Sequence, residues 1–214
     1  MTVRPRRRWL LKTVLRLARY NMRLTILKYV SLILAAFLAV LGAADVPKYD
    51  YRLLATTRTS TMEKELNDAA EAGYSFSSVM GGQTGIGGKE VVVVMAKKLG
   101  AESHADKKYK LLATSRTSTM QKELQQAGNE GFDFCGQTVF QSAFGGKEVS
   151  VILERGSSTK RRVEFKLLAT TRTSTMEKEL KEAGQEGFEF LEVMVGSTAM
   201  GGKEVISILR RYLD

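Results

Sequence analysis

Three short strings in this chain carry residue types suited to holding an anion: Arg58-Thr59-Ser60, Arg116-Thr117-Ser118 and Arg172-Thr173-Ser174. A guanidinium is a planar fork that matches phosphate or carboxylate. Hydroxyls add further donors. If each string opens a helix, unpaired backbone amides and the positive end of the helix dipole point at the same spot. The competing reading is structural, because serine before a helix caps it and threonine is ordinary in turns. Capping alone does not call for arginine, which leaves Arg58, Arg116 and Arg172 as the residues that a fold-only account does not explain.

Other chemistry is sparse. Gly87-Gly88-Lys89, Gly145-Gly146-Lys147 and Gly201-Gly202-Lys203 place lysine beside a glycine pair, but no Gly-x-x-x-x-Gly-Lys-Ser/Thr string occurs, and a hairpin turn is the better reading. The single histidine, His104, has no counterpart in the other copies. No His/Cys cluster suggests zinc, and no nucleophile elbow or Ser-His-Asp order suggests acyl transfer. The sequence therefore implies no catalytic residues, metal or cofactor. The one cysteine, Cys135, excludes an internal disulfide; it aligns with Ser77 and Leu191, which marks a packing position.

The strings sit inside a larger repeat. Leu53–Leu66 reads LLATTRTSTMEKEL, Leu111–Leu124 reads LLATSRTSTMQKEL and Leu167–Leu180 reads LLATTRTSTMEKEL, at offsets of 58 and 56 residues. Such a period means one small unit used three times. The repeats span 48–98, 107–155 and 163–212, each too small to bury an ample core alone.

Within a repeat, a strand-like run (Tyr51–Thr56, Tyr109–Thr114, Phe165–Thr170) precedes a helix of about 12 residues. Ser60 with Glu63, Ser118 with Gln121 and Ser174 with Glu177 read as capping boxes. Met62, Leu66, Ala69 and Ala70 form an apolar stripe, and Gly73, Gly131 and Gly187 stand where a left-handed C-cap belongs. Lys64 and Glu65 read as the solvated face. An aromatic strand follows (Tyr74 and Phe76, Phe132 and Phe134, Phe188 and Phe190). A hairpin then leads to an apolar third strand: Val91–Met95, Val149–Leu153, Val205–Leu209. The unit is β-α-β-β. A right-handed crossover predicts that the first two strands are parallel neighbours. Because the third strand is apolar on both faces, the fold class is α+β, with three sheets packed together around a pseudo-threefold centre and helices outside, or an equivalent arrangement across a dimer.

Phe165-Lys-Leu-Leu, the helix end Glu-Ala-Gly-Gln-Glu-Gly187-Phe188-Glu189-Phe190 and the final Glu204-Val-Ile-Ser-Ile-Leu209-Arg-Arg resemble small bacterial strand-helix-strand-strand domains of unknown function. Those domains carry Glu-Gly-Trp-Glu at the helix end and lack the Arg-Thr-Ser-Thr segment. The resemblance supports the fold and implies no activity.

Charge separates the chain into two parts. Residues 1–44 contain nine of the 33 Lys and Arg and no acid, which leaves 24 basic and 23 acidic residues for the rest. The repeats therefore lack the basic stripe of a nucleic-acid binder. Tyr29–Ala44 is uncharged, and Gly42 and Ala44 suit cleavage before Asp45, which reads as a secretory signal, with a retained inner-membrane anchor as the alternative. Met22 makes a well-proportioned start for that signal, with Arg6-Arg7-Arg8 and the basic Trp9–Tyr20 stretch upstream. Either way the repeats lie outside the cytoplasm, periplasmic or extracellular, and meet a membrane only through the leader. The expected function is an exported, non-catalytic binding module for an anionic ligand. The alternative is a structural or self-associating cell-envelope protein, a homo-oligomer or one bound to an envelope partner.

Overall fold

A computed structural model describes residue 28 and residues 46–83, 89–100, 106–141, 147–156, 161–197 and 203–213. The signal or anchor segment, the start at Met22, His104 and the three Gly-Gly turns lie outside the described residues. Lys48–Asp214 is one compact unit, separate from Met1–Pro47, and holds every residue of the described core.

The first unit is built from β1 (Tyr49–Thr56), α1 (Thr59–Glu71), β2 (Ser75–Gln83) and β3 (Lys89–Lys98). The second comprises β4 (Lys108–Thr114), α2 (Thr117–Asn129), β5 (Asp133–Gln141) and β6 (Lys147–Arg155). The third comprises β7 (Arg162–Thr170), α3 (Thr173–Gln185), β8 (Glu189–Ser197) and β9 (Lys203–Leu213). The chain is thus an α+β tandem array of three antiparallel sheets, each with one helix.

Strand order corrects one expectation. The sheets run β1-β3-β2, β4-β6-β5 and β7-β9-β8, with every pairing antiparallel. The first two strands of a unit do point the same way, but the third lies between them. The reason is burial. Val91, Val93 and Met95 face the helix, and Val92 and Val94 face the other side, so this strand is apolar on both faces and belongs in the centre. The amphipathic first and second strands take the edges. All three second strands carry a bulge, at Phe76/Ser78, Phe134/Gly136 and Phe190/Glu192. The skipped residue is Ser77, Cys135 or Leu191, which explains why that position tolerates such different side chains.

The helices keep their predicted stripe: Met62, Leu66, Ala69 and Ala70 are buried, as are Met120, Leu124 and Ala127. Each ends at a glycine with positive φ, 87° at Gly73, 84° at Gly131 and 86° at Gly187. The following amide reaches back across the last turn at 3.0 Å, Tyr74 to Ala69, Phe132 to Ala127 and Phe188 to Ala183, which is the Schellman closure.

Units join serially. One core cluster combines the first unit with Tyr109 and Ile152 of the second. Another combines the second unit with Val163, Phe165, Ile206 and Ile208 of the third. Helices α1 and α2 are therefore wedged against the following unit rather than left outside, a second correction. Among the described residues no substantial contact joins the first unit to the third.

Candidate functional site

The strand-to-helix turns are built alike. The hydroxyls of Thr56, Thr114 and Thr170 accept from the amides of Arg58, Arg116 and Arg172 at 3.1, 3.2 and 3.2 Å. This holds each arginine extended, with φ near −120° (−127°, −115° and −121°), so that its carbonyl accepts the first helical bond from Met62, Met120 or Met176. Arginine, not serine, thus occupies the N-cap position, and its side chain makes no capping hydrogen bond in any of the three helices. The predicted capping boxes are absent because the helices begin two residues earlier, at Thr59, Thr117 and Thr173, which puts Ser60, Ser118 and Ser174 inside the first turn.

Arg58, Arg116 and Arg172 are exposed, and none has an ion-pair partner among the described residues. Each stands on its own unit. Arg116, with Thr114, Ser115 and Thr117, borders a pocket floored by Met120, Val149, Leu167 and Ile206, whose enclosed space of about 10 Å³ holds one water at most. Neither Arg58 nor Arg172 lines it.

The capping-box residues Glu63 and Gln121 do something the sequence reading missed: they bridge units. Glu63 Oε2 accepts from the Leu111 amide at 2.9 Å. Asn67 accepts from the Tyr109 amide at 2.9 Å and donates to the Tyr109 carbonyl at 3.0 Å. One unit later, Gln121 accepts from the Leu167 amide at 2.7 Å and donates to the Phe165 carbonyl at 2.9 Å, while Gln125 accepts from the Phe165 amide at 3.3 Å. Helices α1 and α2 thus satisfy the free edge of the next unit's first strand, the edge that would otherwise template pairing with another chain. A faint signal existed: Asn67 and Gln125 are amides, able both to donate and accept, on the helix face otherwise read as solvated.

Further contacts lock the seams. The Tyr109 hydroxyl accepts from the Phe76 amide at 2.9 Å and donates to Glu154 at 3.1 Å; burial pushes its pKa well up, so it stays protonated. Arg210 donates to both oxygens of Asp133 at 2.7 Å, and the Tyr212 hydroxyl joins them at 2.7 Å. Burial also raises the Cys135 thiol pKa, reinforced by Glu154, which keeps it un-ionised. Among the described residues no group of three or more His, Cys, Asp or Glu stands where it could hold a metal.

The two ends of the array lack these covers. Tyr51 is 63% and Leu53 66% exposed, whereas their counterparts Tyr109 and Phe165 are 3% and 2% exposed and Leu111 and Leu167 are half-buried. Tyr49 and Met80 are exposed beside them. At the far end Phe190, Val193 and Val195 are exposed, whereas their first-unit counterparts Phe76 and Val79 pack against the second unit. No protein-family model, curated protein or solved structure matches the chain.

Proposed function

We propose that the protein is an exported, non-catalytic interaction module that associates through the two end faces of its repeat array. The observation that carries this reading is the placement of its exposed large apolar residues. Among the described residues they lie, apart from Val46 and Leu99, on those faces: Tyr49, Tyr51, Leu53 and Met80 at one end, Phe190, Val193 and Val195 at the other. Contiguous exposed apolar surface on a soluble unit marks an interaction site, and repeat arrays ordinarily close their ends with polar capping units. Native mass spectrometry of residues 48–214 over a concentration series tests it. Association that grows with concentration is expected; a monomer at every concentration contradicts it.

A second reading is supported by the turns. Three helix starts whose N-cap arginine makes no capping bond, each arginine exposed and without an ion-pair partner among the described residues, offer amides and guanidinium to an anion at Arg58-Thr59-Ser60, Arg116-Thr117-Ser118 and Arg172-Thr173-Ser174. Phosphate-dependent thermal stabilisation, lost in the Arg→Ala variants, tests this. Export rests on the leader sequence, and the envelope is the compartment it favours.

A further inference from the structure

The seam between consecutive units is used twice inside the chain, and both of its halves are left open at the ends. We infer that the two ends bind one another between copies: the α3 face of one protomer takes the β1 edge of the next, head to tail. This rests on the interaction-module reading and names its partner, a second copy of this chain.

Four correspondences carry it. Glu177 occupies the position of Glu63 and Gln121, which accept from the edge amide of Leu111 and Leu167, and the matching amide on β1 is that of Leu53. Tyr51, the counterpart of Tyr109 and Phe165, presents its edge uncovered and its ring to solvent. Gly128 lets α2 approach the next unit so closely that a Cβ there would lie 2.1 Å from the Val163 carbonyl oxygen. Gly184 is the same position on α3 and has nothing within 4 Å, so the space that Val163 fills in the internal seam stands empty. Glu177 and Lys181 meanwhile pair with each other at 2.5 Å, and an open groove runs along their helix face.

The terminal seam differs from the internal ones in one respect that sets its strength. Asn67 and Gln125 accept from the amide of Tyr109 or Phe165; Lys181 has no acceptor to offer the amide of Tyr51. A joint between copies thus forms with one bond fewer, so it is weaker than the covalently tethered joints and reversible. Its two surfaces differ, so the contact is heterologous and continues until a ring closes or a filament grows.

Sedimentation velocity of residues 48–214, the compact unit that holds the described core, tests the seam with two variants. Gly184→Gln fits the free protomer, where the position is open and helical, but fills the approach space; it is expected to shift the association midpoint at least about tenfold to higher concentration. Lys181→Asn restores the missing acceptor and is expected to tighten association about fivefold. Association unchanged in both variants overturns the head-to-tail seam and leaves the interaction module standing. A wild type that stays monomeric overturns both.

Discussion

Position 184 and its counterpart 128 are the same residue in the same helix turn, yet their surroundings give them opposite consequences. At Gly184 a methyl meets nothing, so Gly184→Ala gains the helix propensity that glycine forfeits and should raise stability by about 0.5–1 kcal/mol. At Gly128 the methyl would press into the Val163 carbonyl, so Gly128→Ala should lower stability by about 1–3 kcal/mol. Urea unfolding at a concentration low enough to exclude association reads both; equal effects would mean that the second and third helices sit in equivalent environments. Glu192 supplies a pH test. Burial raises its pKa, partly opposed by the Gln137 amide that it accepts at 3.2 Å. A carboxyl raised on folding favours the native state below its unfolded pKa and loses that contribution as pH rises through the folded value. Glu192→Gln should therefore melt higher than the wild type at neutral pH, and the difference should vanish as pH falls through the carboxylate range. A difference that grows on acidification would contradict the assignment.

Among the elements, much was legible because local rules and tertiary demand agreed. The Met62, Leu66 and Ala69 stripe and the glycine after each helix are short-range patterns, and all three units obey them; the aromatic strand holds only in part, since Tyr74, Phe132 and Phe188 precede β2, β5 and β8 and Phe190 is exposed. Strand order was not legible. The crossover rule concerns strands joined through a helix, but the doubly apolar Val91–Met95 run outweighs it by taking the centre of the sheet. The capping box failed in all three units because each helix starts before its serine, the third included, where Glu177 pairs with Lys181; that Glu63 and Gln121 close a neighbouring strand edge was not legible either, since nothing within one repeat announces a partner in the next. Among the described residues the N-cap arginines make no ion pair through their side chains. The triple Arg58→Ala, Arg116→Ala, Arg172→Ala variant should consequently unfold within about 0.5 kcal/mol of the wild type, as surface changes do. On the anion reading it should also lose any rise in melting temperature caused by inorganic phosphate. A large loss of stability in phosphate-free buffer would make the arginines structural.

At the scale of the whole molecule, the array has direction. Each unit offers a helix forward and an edge strand backward, so two seams close and two half-seams remain. The pseudo-threefold arrangement suggested by the sequence would have joined the third unit to the first; the exposure of Tyr51, Leu53, Glu177 and Lys181 is what that closure would have removed. The third core cluster is correspondingly small, built around Ala183, Phe188 and Leu209, with no residue of another unit in it. Chemical cross-linking tests this most directly. In the full chain with Cys135→Ser, the residue its first-unit counterpart Ser77 already supplies, Tyr51→Cys and Lys181→Cys place one thiol on each half-seam. A short bis-maleimide should then join copies into a ladder or a single closed oligomer, and either single-cysteine variant should yield no more than a pair. Quantitative cross-linking within one chain, at monomer mass, would mean that the array closes on itself and that its ends are not open.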